Sequence, residues 1–317
     1  MPLTMDAIRQ AQARIAPYAL KTPLLRMECL DAALGCQVYV KAECMQRTGS
    51  FKLRGAMNRA LTLTPEERAR GIVAASSGNH GRAISYAARL LGAKATVVMP
   101  RQAPEIKIQA IRALGAEIIL CETSERFRLA EELCASRGAT MVPPFNDETV
   151  MAGQGTVGLE IMEACPDMDV IVTPTSGGGL LGGVATAVRA LSPRTRVYGA
   201  EPAAMPRYGR SLEAGAPVQV PQDTSIADAL LAQSPGGLCF SYVQQNAAGV
   251  VPVEDAFLLR GMKLLLTEGK LLGEPSACIG MGAALQGVLP VRSEEKVCFV
   301  VSGGNAGLSQ LHALDAL

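Results

Sequence analysis

The 317-residue chain has no tryptophan and only two histidines, His80 and His312. Its nine cysteines are an odd number, and none belongs to a C-x-x-C pair. That is poor material for a zinc site or a disulfide framework, and it points to a reducing cytoplasm. An excess of one charge sign is missing too. Thirty Lys and Arg face 29 Asp and Glu, giving a formal net charge of +1 with no basic tract. Nucleic acid and membrane surfaces are therefore not expected partners. Residues 1–6 carry no apolar core or cleavage site, so no signal peptide is expected. A charge-free stretch does run between Asp169 and Arg189. Pro174, Ser176 and a glycine cluster interrupt it, so it reads as strand, loop and helix instead of a membrane span.

What the chain has is glycine, 32 residues of it, and a hydrophobic content of 49%. Together with the length, this suits a loop-rich α/β protein of two domains. Short β-branched runs at 38–40, 72–75, 95–99, 117–120, 170–172, 196–199 and 297–301 read as buried strands. Helical patterns at 83–91, 105–114 and 126–137 alternate with them, which implies parallel sheets covered on both faces. Residues 48–144 read as a small unit of four strands and their helices. Residues 1–47 and 145–317 then form the large domain, and a ligand is expected in the cleft between them.

The first chemical signal is Ser50-Phe51-Lys52-Leu53-Arg54-Gly55, which puts a lysine at a helix start. A partly desolvated lysine becomes a usable amine nucleophile or base, although most such lysines are simply solvated. Three loops keep it company, each following a buried strand: Ser76-Ser77-Gly78-Asn79-His80-Gly81, Thr175-Ser176-Gly177-Gly178-Gly179-Leu180 and Ser302-Gly303-Gly304-Asn305. Hydroxyls, amides and free N–H groups at helix starts suit a carboxylate or a phosphate. The absence of a Gly-Lys-Ser/Thr ending excludes a P-loop. Loops at strand ends converge on one ligand. Gly153-Gln154-Gly155-Thr156-Val157-Gly158 matches G-x-G-x-x-G but follows no strand, and reads as close helix packing, not a dinucleotide site.

These motifs, with Ala152-Gly153-Gln154-Gly155-Thr156, occur in the order found in fold-type II pyridoxal-phosphate enzymes. From about Thr22 to Leu308 the chain resembles the serine/threonine dehydratase and serine racemase group. The resemblance implies the tryptophan synthase beta-like fold, a homodimer and an amino-acid substrate. It makes Lys52 the Schiff-base lysine and the base on one face of the substrate. Ser77 would stand on the other face, where racemases of the group exchange the Cα proton. Phe51 would pack beside the cofactor ring and Asn79 would bond its 3-hydroxyl. Ser176, Gly177, Gly178, Gly179 and Leu180 would hold the phosphate. Ser302 with Gly303 would face the pyridine nitrogen, and Glu274 would lie near the cofactor. Ser76, Ser77, Gly78, Asn79 and His80 would bind the substrate carboxylate. A serine opposite the ring nitrogen does not enforce its protonation, which weakens the electron sink and favours elimination. A β-hydroxy amino acid losing water, through an enamine that hydrolyses to a 2-oxo acid and ammonia, is thus expected, with racemisation as the alternative. The cofactor phosphate would be the acid for the departing hydroxyl.

Two departures stand out. Metal-binding members of the group follow a strand-end Glu with a second acid. Here Glu201 is present but Arg207 lies near the expected acid, either replacing the cation or simply solvated at the surface. With Arg207 there, a divalent metal at Glu201 is not expected. Ala229 also stands where the group usually has Gly. Pro144-Phe145-Asn146-Asp147 looks like the dehydratase form of its loop, and no segment beyond Leu308 is long enough for a regulatory domain.

Overall fold

Two open sheets organise the computed structural model, which describes residues 2–76, 78–103 and 105–315. The larger sheet joins β1 (Leu24–Arg26), β2 (Gln37–Lys41), β10 (Lys296–Val300), β7 (Val170–Pro174), β8 (Arg196–Pro202) and β9 (Gly249–Val253), in that spatial order. All its pairs are parallel except β1 with β2. The smaller sheet is wholly parallel, in the order β5 (Glu117–Cys121), β4 (Ala95–Pro100), β3 (Ile72–Ala75) and β6 (Thr140–Met141). The architecture is α/β with two parallel-sheet domains.

Continuous apolar runs form these strands because both faces of each sheet are covered. Side chains alternate between the faces. Val170, Val172, Val297 and Phe299 enter one core, whereas Ile171, Cys298 and Val300 enter the core on the other side. In the smaller sheet Ile72, Ala74, Val97 and Met99 share one core, and Val73, Ala75 and Val98 the opposite one. Three strands fall outside the runs expected from sequence, namely β1, β6 and β9, and each occupies a sheet edge. The helix expected from 83 begins at Asn79, taking in three residues of the polar loop before it.

The G-x-G-x-x-G segment lies in the helix Glu148–Ala164 and packs backbone to backbone. A Cβ on Gly153 would sit 2.5 Å from the Arg54 carbonyl oxygen and 2.8 Å from Gly55 Cα. One on Gly155 would sit 2.8 Å from the carbonyl oxygen of Gly183, in the helix Gly179–Leu191, and one on Gly158 3.0 Å from that of Val184. The Glu148–Ala164 helix is thereby clamped between the Lys52–Leu61 helix and the Gly179–Leu191 helix.

Beside that clamp lies a buried charge network. Arg54 grips Glu43 with Nε and Nη2, both at 2.8 Å, and Glu160 with Nη1 at 2.7 Å and Nη2 at 2.8 Å. Lys41 Nζ donates to Glu160 at 2.5 Å and to the Thr22 carbonyl at 2.6 Å. Two cations and two carboxylates leave the cluster neutral, the condition under which burial of charge is tolerated. Burial works to raise the Glu43 carboxyl, but the Arg54 charge and its hydrogen bonds hold it below the usual range. Arg54→Met should cost about 3–5 kcal/mol, because Lys41 alone is left to balance two buried carboxylates and Glu43 loses its ion pair. Chemical denaturation of wild type and variant measures this; an unchanged midpoint would contradict it.

Candidate active site

Lys52 opens its helix at the seam between the two sheets. Ser50 forms a bridge to Gly303, and the Phe51 N–H donates to the Ser302 carbonyl at 2.9 Å. The loop after β10 is therefore stitched to the lysine segment. Lys52 Nζ donates to the Pro144 carbonyl at 2.8 Å and lies 5.0 Å from the Phe51 ring centre. With no carboxylate on the amine, burial disfavours the ammonium and pushes Lys52 down to about 8, against an upward pull from Cys239.

The glycine loop follows β7. The Thr175 N–H donates to the Ala200 carbonyl at 2.8 Å, fixing where the loop leaves the sheet. Gly178 has φ +95°, a conformation L side chains rarely adopt. A Cβ at 177 would overlap the Phe145 ring, and one at 178 would run into the Tyr208 hydroxyl. One at 179 would lie 2.5 Å from Gln154 Oε1. Ser176 Oγ accepts the Ala232 N–H at 3.2 Å, and Leu180 is buried in the helix that starts at Gly179. The unpaired N–H groups of that helix's first turn face the loop. Gln154 Oε1 is buried without a hydrogen-bond partner among the described residues. A cradle that any side chain would fill, at a helix N-terminus, fits the phosphate of pyridoxal phosphate.

Glu274 and Asn79 join the two sheets' loops. The Glu274 N–H donates to the Gly303 carbonyl at 2.9 Å, and its carboxylate accepts from Asn79 Nδ2 at 2.7 Å. Burial, with the charge of Asp228, pushes Glu274 up to about 7. Asn79 Oδ1 accepts from Asn305 Nδ2 at 2.7 Å, and Asn305 Oδ1 accepts from Arg82 Nη1 at 2.6 Å. His80 is buried with Nε2 2.8 Å from the Val142 carbonyl, so Nε2 carries the proton. Desolvation and the nearby Lys52 hold His80 down to about 3, which leaves it neutral. Its side chain thus turns into the small sheet. Ser76 and Gly78 flank the start of the Asn79–Leu90 helix, where the Gly78 N–H donates to Ser76 Oγ at 3.3 Å. Ser77 lies outside the described residues.

Lys52, Phe51, Asn79, Glu274, Ser302 and Gly303 are linked by direct contacts, and the glycine loop reaches Lys52 through Pro144, whose carbonyl Gln154 Nε2 also meets at 3.3 Å. Sequence reasoning assigned no role to Phe145, Gln154, Tyr208, Asn305 or Arg82. Phe145, Gln154 and Asn305 stand inside motifs quoted above, and that is the only signal the sequence offers for them. Among the described residues no three His, Cys, Asp or Glu are grouped as a metal site. Arg207 is fully buried, so it is not a solvated surface arginine.

Two measurements test this geometry. Apoprotein mixed with pyridoxal phosphate should gain the absorbance of lysine-bound cofactor at a rate that climbs as pH passes about 8. Only the neutral amine attacks an aldehyde, so a profile centred at the ordinary 10.5 would place Nζ in solvent. Gly178→Ala combines a left-handed φ with a steric clash, together about 2–5 kcal/mol of distortion. Equilibrium titration should then show cofactor affinity lowered at least tenfold, and unchanged affinity would remove the loop from the phosphate site.

The family description "Pyridoxal-phosphate dependent enzyme" matches residues 15–303. A serine racemase of Oryza sativa subsp. indica is 40% identical over 313 residues, covering 97% of this chain and 92% of that protein. An L-threonine ammonia-lyase of Thermotoga maritima is 39% identical over 311 residues, covering 98% of this chain and 77% of that one. The structure of maize serine racemase superposes with a TM-score of 0.94 at 36% identity, covering 100% of this chain and 98% of that one. A buried lysine with a lowered pKa, a glycine cradle at a helix N-terminus and this likeness along nearly the whole chain have one meaning: the chain belongs to the pyridoxal-phosphate-dependent enzymes, within the group of ammonia-lyases and serine racemases.

Proposed function

We propose that the protein is an L-threonine/L-serine ammonia-lyase, releasing a 2-oxo acid and ammonia from a β-hydroxy amino acid. The observation that carries this reading is the residue at 302, a serine whose loop is hydrogen-bonded to the lysine segment through the Phe51 N–H. Bound pyridoxal phosphate supplies the electron sink that makes the substrate Cα–H acidic. Ser302, unlike a carboxylate, would not hold a proton on the ring nitrogen, so negative charge growing at Cα would be weakly stabilised. Departure of the β-hydroxyl as Lys52 Nζ takes the Cα proton relieves that charge, which favours elimination over return of the proton.

The other residues bind and orient. Phe51 would pack beside the ring, and Ser176, Gly177, Gly178, Gly179 and Leu180 would hold the phosphate. Asn79, fixed by Glu274 and Asn305, keeps one amide N–H for the 3-hydroxyl oxygen. The start of the Asn79–Leu90 helix, with Ser76, Ser77, Gly78 and His80, takes the substrate carboxylate through its N–H groups. Residues 48–144, which contain β3 to β6, form the small domain in this reading, and 1–47 with 145–317 the large one. Nine free cysteines support a cytoplasmic location, and the resemblance to its group supports a homodimer. No helix among the described residues is long and apolar enough to cross a membrane.

Serine racemisation, with Lys52 and Ser77 as the acid–base pair on opposite faces, is the second reading, favoured by the likeness to the rice enzyme. Threonine, serine, 3-hydroxyaspartate and phenylserine assayed for 2-oxo acid release, with chiral analysis of the remaining serine, separate the two. The lyase reading expects 2-oxo acid and ammonia in equal amounts, abolished in Lys52→Ala. D-Serine formed without 2-oxo acid would overturn it.

A further inference from the structure

Beneath the glycine loop lies a charged pair that the chemistry above does not use. Arg207 is 0% exposed, and so is Tyr208 beside it. The guanidinium Nε stands 4.0 Å from Glu201 Oε2, and Nη1 donates to the Thr175 carbonyl at 3.4 Å. Nε and Nη2 have no hydrogen-bond partner among the described residues. Both Glu201 oxygens are already engaged, accepting the N–H groups of Tyr208 at 2.9 Å and Gly209 at 2.8 Å in the first turn of the helix Arg207–Ala214. Tyr208 Oη in turn donates to the Gly177 carbonyl at 3.1 Å. The pair and the tyrosine it holds therefore touch the glycine loop twice, at Thr175 through Arg207 and at Gly177 through Tyr208.

This arrangement does not fit a divalent ion. Such an ion asks for several oxygen ligands, anionic ones among them. Here a single carboxylate is capped by backbone N–H groups, and a guanidinium already neutralises it. Adding a doubly charged ion would leave an excess of buried positive charge, which the protein interior does not tolerate. An arginine, by contrast, stays charged at every ordinary pH and presents a rigid fork of donors.

We propose that the Arg207 guanidinium is a resident cation that fixes the Thr175–Gly179 loop for phosphate binding and closes the Glu201 site to divalent metal ions. Its cofactor arm rests on that loop being the phosphate cradle, whereas its metal arm does not. Arg207 is a positioning residue: it acts on the phosphate through the loop carbonyl.

The test uses purified protein, with and without pyridoxal phosphate. Thermal melting and cofactor titration of the wild type should be the same in EDTA and in millimolar Mg2+, Ca2+ or Mn2+. Arg207→Ala should bind the cofactor about tenfold more weakly, the loss expected for a hydrogen bond from a charged donor. Guanidinium ion, at a concentration without effect on the wild type, should restore that affinity. A melting temperature raised by the ions and lowered by EDTA would overturn the proposal. So would Arg207→Ala binding as tightly as wild type, or a loss that guanidinium does not repair. Should Arg207→Ala fail to fold, the uncharged pair Glu201→Gln with Arg207→Met removes both charges at once. Weakened cofactor binding in a folded pair supports the proposal, and wild-type binding, or failure of this pair to fold, counts against it. If Gly178→Ala weakens cofactor binding while Arg207→Ala does not, only this inference falls. If neither does, the cradle reading falls with it.

Discussion

Everything about the cleft depends on where Arg54 is held. It sits two residues after Lys52 on the same helix, and both its carboxylate partners come from other elements. Glu43 follows β2, and Glu160 lies on the Glu148–Ala164 helix. The guanidinium therefore ties the lysine helix to the large sheet and to the central helix at once. Because a guanidinium fork donates to its partners in one plane, the tie fixes rotation as well as distance. A lysine that must meet one atom of a ligand needs both.

The cleft that results carries less formal charge than its residue types would in water. Burial lowers Lys52 to about 8, keeps His80 unprotonated and raises Glu274 to about 7. One cause, removal from water, acts on an amine, an imidazole and a carboxyl in the direction that discharges each. Anionic groups brought by a ligand then meet mainly backbone N–H groups and helix N-termini. The rest of the polar order is carried by neutral amides, with Asn79 and Asn305 handing one hydrogen bond to the next between Glu274 and Arg82.

The seven runs read as strands all became interior or fully paired strands, except for β5 at one edge, because burial on two faces writes itself as an unbroken apolar run. β1, β6 and β9 escaped because edge strands need no such run; β9 even contains Pro252, which an edge tolerates. The loops at strand ends were legible from hydroxyls and glycines beside apolar runs. Phe145 and Tyr208 were not, since what marks them is the space a glycine far away in sequence leaves open. Arg207 was undecidable for a related reason. Its helix buries Arg207, Tyr208 and Ser211, so polar residues occupy the face that usually reads as apolar, and nothing in the order of residues says the face is inward.

The clamp of glycines around the central helix has a consequence for divergence. The gap between the lysine helix and the Gly179–Leu191 helix is set by main chain resting on main chain, at Gly153 against Arg54 and Gly55 and at Gly155 against Gly183. Main-chain atoms do not change when residues do. Neighbouring side chains can vary without altering that spacing, provided these few positions stay bare, and the span across the cleft keeps its width. Such a spacer acts as a gauge block: it lets homologous chains differ at most positions, and differ in what they transform, while presenting an amine and an anion cradle at one fixed separation.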